Sequence, residues 1–79
     1  MREFKVTAFW DPEASVWVAE SADVPGLVTE ADTVEHLIAK LRVMVPELLE
    51  VNGALAADVK DVSIRLVAER AVHAPRDAA

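Results

Sequence analysis

Apolar and polar residues alternate from Glu3 to Trp10, with Phe4, Val6, Ala8 and Trp10 on one side and Lys5, Thr7 and Phe9 on the other. A period of two marks a half-buried strand. Asp11-Pro12-Glu13-Ala14 follows, placing Asp and Pro at the first and second positions of a type I turn. Ser15 to Ser21 then reads as the returning strand of a hairpin. Setting Trp10 opposite Val16 predicts Ala8 against Val18 on the core side and Phe9 against Trp17 on the other. Further on, Pro25 presets φ for a turn, and Gly26 can adopt the positive φ that a type II turn requires next. Leu27 to Ala31 makes a third, short strand.

The period changes after Asp32. Asp32 is placed as a helix N-cap, with Glu35 three residues later in the reciprocal arrangement of a capping box. Val34, Leu37, Ile38, Leu41, Met44, Val45, Leu48 and Leu49 fall on one stripe at helical spacing. Asn52-Gly53 supplies the C-terminal stop. Pro46 is discordant, because an interior proline removes a hydrogen bond and crowds the preceding turn. It predicts a kink, or a break with Pro46 opening a second short helix. Ala54 to Lys60 is a connector. Asp61 to Ala68 is a fourth strand, with Val62, Ile64, Leu66 and Ala68 inward and Ser63, Arg65 and Val67 outward.

The order is therefore β-β-β-α-β. A right-handed crossover is strongly favoured for a parallel return, so strand four is set beside strand one. That gives an α+β fold with a four-stranded sheet of order 3-2-1-4 and one kinked or broken helix on one face. Residues 1–70 are expected to form a single domain. Residues 71–79, with Pro75 and no periodicity, are expected to be a flexible C-terminal tail.

Composition narrows the function classes. A core from 79 residues supplies only about 3–5 kcal/mol of net stability. The chain has no cysteine and two histidines, so neither disulfides nor structural zinc is expected to reinforce it. Oligomerisation or partner binding is left as support, and a homo-oligomer is expected. The formal charge is −6, and Arg2, Lys5, Lys40, Arg42, Lys60, Arg65, Arg70 and Arg76 are scattered, which disfavours direct nucleic-acid binding. A basic protein partner suits this charge. No apolar run approaches the ~20 residues of a membrane span, and Met1-Arg2-Glu3-Phe4 lacks a secretory apolar region. A cytoplasmic location without membrane contact is expected.

Candidate chemistry is sparse. Asp11, Asp23, Glu30, Asp32 and Asp61 lie near strand ends rather than at mid-strand positions, where a metal-dependent nuclease would need them. His36 falls in the first helical turn, where a cation opposes the dipole. His73 lies in the tail. Ser15, Ser21 and Ser63 have no elbow-type glycine setting. No catalytic, cofactor-binding or metal-ligating residue is assigned, and the chain is not expected to be an enzyme. The open sheet face is the stronger candidate, with a partner-binding patch of Thr7, Phe9, Trp17, Ala19, Arg65 and Val67. Self-association through that face or through strand four, an edge with no proline and few charges, is the alternative.

Several segments carry a family likeness. Trp10-Asp11-Pro12-Glu13, Val16-Trp17-Val18-Ala19, Asp23-Val24-Pro25-Gly26-Leu27 and Thr29-Glu30-Ala31-Asp32-Thr33 together resemble the N-terminal domain of HicB-family antitoxins. Met44-Val45-Pro46-Glu47-Leu48-Leu49 and Asn52-Gly53 are more similar still to the small stand-alone proteins grouped beside them. The likeness covers roughly residues 3 to 68. It implies a degenerate ribonuclease-H-like unit that binds and masks a small basic RNA-cleaving toxin of HicA type, within an oligomer. Ala31 stands where many relatives have glycine, and the ribonuclease-H-like carboxylates are missing from matching positions. No stretch matches the operator-binding segment of HicB proteins, so neither catalysis nor DNA binding is carried over.

Overall fold

The computed structural model describes residues 2–77. Four strands and one helix follow the expected order: β1 (Glu3–Asp11), β2 (Val16–Glu20), β3 (Val28–Ala31), α1 (Val34–Val51) and β4 (Ser63–Glu69). The sheet runs β3-β2-β1-β4, with β4 parallel to β1 and the other neighbours antiparallel. Phe4, Val6, Ala8, Ala19 and Ala31 from the sheet meet Leu37, Leu41, Val45 and Leu49 from the helix, and these form the buried core with Val24 and Leu27. The helix packs chiefly on β2 and β3.

The turn into β3 forms as its chemistry dictates. Gly26 adopts φ +86°, and the Leu27 amide donates to the Val24 carbonyl at 3.1 Å. A side chain with a Cβ rarely takes that φ. At the helix start the cap is Thr33 rather than Asp32: the Thr33 hydroxyl accepts from the His36 amide at 3.0 Å. Asp32 lies one residue outside, and its carboxylate meets His36 Nδ1 at 2.5 Å. Hydrogen bonding from His36 holds the Asp32 carboxyl below its ordinary range. The helix runs without a break through Pro46 and ends at Asn52, with Gly53 at φ +67° just beyond. Of the two outcomes expected at Pro46, a kink or a break, the break does not occur: the apolar stripe continues through Leu48 and Leu49 and keeps the last turns packed on the core.

The hairpin differs from expectation by one residue. Asp11 pairs with Val16, so Trp10 faces Trp17, Phe9 faces Val18 and Ala8 faces Ala19. The cause is local. Asp11 Oδ1 accepts from the Glu13 and Ala14 amides at 3.0 and 3.3 Å, which tightens the loop to Pro12–Ser15. Ser15 closes it at φ +57°. Non-glycine residues there carry backbone strain of about 1–3 kcal/mol, partly offset in a glycine variant by its freer unfolded chain. Ser15→Gly is therefore expected to stabilise the fold by roughly 0.5–1 kcal/mol, read as a higher urea midpoint.

Residues 71–77 carry no helix or strand and are exposed. The remainder of the expected tail, residues 78–79, lies outside the described residues.

Candidate interaction surface

A slip of one residue in strand pairing exchanges the faces of a whole strand. Two members of the expected patch move with it. Ala19 lies in the core with 0% of its surface exposed. Trp17 is half-buried on the helix side, packed against the core cluster and edge-to-face on Trp10, with ring centroids 5.6 Å apart. Neither belongs to the uncovered face. The reason is the tight Asp11–Val16 closure, which puts both residues on the side of Ala8 and Trp10.

Thr7, Phe9, Arg65 and Val67 do lie together on the face away from the helix. The register sets Lys5 beside Arg65, Thr7 beside Val67 and Phe9 beside Glu69. On the β2 side, Phe9 faces Val18 and Asp11 faces Val16. Phe9 is 47% exposed, while Val16, Val18 and Val67 are half-buried. The Thr7 hydroxyl donates to the Glu20 carbonyl at 3.3 Å, and Arg65 Nε donates to Glu3 Oε1 at 2.7 Å. Val16 and Val18 thus take the places that the sequence pattern assigned to Trp17 and Ala19. The signal that points to them is Asp11, whose side chain can cap the turn and shorten the loop.

The strip is apolar along its middle and acidic at its margins. Glu3, Asp11, Glu20, Glu30 and Glu69 share this face by register, against Lys5 and Arg65. A surface of this kind suits a partner with an apolar anchor and basic surroundings.

Other side chains with possible chemistry serve the fold. Asp23 Oδ2 accepts from the Lys5 amide at 2.8 Å. The Ser21 hydroxyl donates to the Lys5 carbonyl at 2.5 Å and accepts from the Asp23 and Val24 amides. Among the described residues, no three His, Asp or Glu side chains gather where they could hold a metal ion. Among the same residues, no helix is long and apolar enough to cross a membrane.

On the helix side, the Arg70 guanidinium lies 4.1 Å from the Trp10 ring centroid, so Trp17, Trp10 and Arg70 form a stack at the hairpin end of the sheet. The hydrophobic pattern carries no sign of this stack, since it depends on the register and on where the chain leaves β4.

Residues 3–76 match the family model described as a domain of unknown function, DUF1902. No match is found among the curated proteins. Among solved structures, the chain is similar to a hypothetical protein from the extremely thermophilic bacterium Thermus thermophilus. The two are 61% identical over 91% of this chain and 99% of that one, with a TM-score of 0.77.

Proposed function

We propose that this chain, which belongs to the DUF1902 family, is a non-enzymatic, cytoplasmic protein-binding module of antitoxin type. Its uncovered sheet face receives a small basic protein, such as a HicA-like RNA-cleaving toxin. The observation that carries this reading is the apolar strip of Phe9, Val16, Val18 and Val67 on a face no helix covers, ringed by carboxylates. Phe9 is the natural anchor, because aromatic residues at the centre of a desolvated patch dominate binding energy. The net charge of −6 adds long-range attraction for a basic partner. The HicB-like segments around the two turns support the same reading.

The test is co-expression of the full chain with a small basic RNA-cleaving protein of HicA type. The wild type is expected to restore growth and to co-purify with it. Phe9→Asp puts a charge in the centre of the strip and is expected to weaken the complex by roughly 30-fold or more, with circular dichroism unchanged. A complex that Phe9→Asp leaves intact, or no complex with the wild type, would overturn the proposal.

A further inference from the structure

The two edges of the sheet are unlike. β3 is four residues long, and Lys40 Nζ donates to its Glu30 carbonyl at 2.5 Å. β4 is seven residues long, has no proline and, among the described residues, has a neighbour, β1, on one side alone. Beyond it, residues 70–77 are exposed and outside any helix or strand. The molecule spans 61 Å along its longest axis. Its accessible surface is 5872 Å², against about 4700 Å² for a compact monomer of this mass. Ile64 and Leu66, on the helix side of β4, are only half-buried.

We infer that β4 and the segment after it pair antiparallel with the same stretch of a second copy of this chain, about a two-fold axis at Val67. A two-fold normal to the sheet brings like faces together and joins the two sheets into one of eight strands. In this register, Arg65 lies opposite Glu69 of the second copy. His73 lies opposite its Asp61. Each pairing occurs twice by symmetry. On the helix side, Leu66 meets Ala68 and Val62 meets Val72, which continues the apolar row that α1 leaves half-covered.

The charges select the register. An axis at Leu66 sets Arg65 opposite Val67 and brings no opposite charges together. An axis at Arg65 sets that residue against itself and Glu69 against Asp61. An axis at Ala68 sets Arg65 opposite Ala71 and Glu69 opposite Val67, again with no opposite charges together. Like charges directly opposite one another are destabilising, and opposite charges stabilise. Only the axis at Val67, of these four, pairs opposite charges without a clash. The contact uses the sheet edge and needs no other protein, so it stands or falls separately from the partner-binding reading.

Sedimentation and native mass spectrometry of the full chain test it. The wild type is expected to be a dimer at micromolar concentration. Arg65→Glu and Glu69→Arg each create two like-charge oppositions and are expected to weaken the dimer roughly tenfold or more. Mixed together, the two single variants are expected to form a one-to-one heterodimer, because every opposition between them is again of opposite sign. The double variant R65E/E69R is expected to recover the dimer. Arg65→Glu also removes the contact with Glu3, which Glu69→Arg leaves in place. Circular dichroism verifies each fold, and the double variant carries the test if a single one fails to fold. A monomeric wild type overturns the inference. So do single variants that dimerise like the wild type, or a mixture with no preference for the heterodimer.

Discussion

Leu37→Ala is expected to remove most of the stability of this fold. Leu37 is fully buried on the first turn of α1, the helix that packs on β2 and β3. Truncating a buried leucine costs about 2–5 kcal/mol, from lost transfer energy plus the cavity left behind. A domain of this size holds only about 3–5 kcal/mol in total. With no disulfide to limit the unfolded chain, the loss has no compensation. Urea denaturation followed by circular dichroism reads the outcome directly. Val43→Ala, on the exposed side of the same helix at 58%, is the control and is expected to change stability by less than about 0.5 kcal/mol. Equal effects at the two sites would mean that α1 does not pack on the sheet by its leucine stripe.

Ser21→Ala is expected to cost about 1–3 kcal/mol, a large sum for one hydroxyl. β2 ends at Glu20 while β1 extends back to Glu3, so Lys5 has no β2 residue to pair with. Its carbonyl instead accepts from the Ser21 hydroxyl, and its amide donates to Asp23. The same hydroxyl accepts from the Asp23 and Val24 amides at 3.0 and 3.2 Å. It therefore holds the chain as it turns toward buried Val24. Removing it leaves half-buried donors without a partner, which is where hydrogen bonds matter most. A double-mutant cycle with Asp23→Ala separates the two contributions, and coupling is expected because both side chains bond the same residue. Independent, additive losses would show that the Lys5 backbone is not shared between them.

Much of this architecture is legible in the residues. The alternation of Phe4, Val6 and Ala8, the Pro25-Gly26 turn and the stripe from Leu37 to Leu49 each have a period or a dihedral demand of their own. Together with the handedness of crossovers they lead to the observed sheet order. The hairpin register is harder to read. A loop of four residues and one of five differ only in whether Asp11 spends its carboxylate on the Glu13 and Ala14 amides and whether Ser15 accepts a left-handed backbone. Neither leaves a mark in hydrophobic pattern. That single step decides which face receives Trp17 and Ala19. The helix start is displaced by one residue from the Asp32 cap that the sequence predicts, because the Thr33 hydroxyl takes the His36 amide while Asp32 turns to the His36 ring. Pro46 shows the opposite case, where packing of the stripe on either side outweighs a strong local preference.

The stack of Trp17, Trp10 and Arg70 gives the chain a built-in optical gauge. Two indoles held edge-to-face 5.6 Å apart couple their transitions only while the hairpin keeps its register. A cation over one ring tunes that ring's emission for as long as the segment leaving the sheet stays in place. A far-ultraviolet couplet is thus expected to follow strand alignment, and the fluorescence to follow the departing chain, with no label attached.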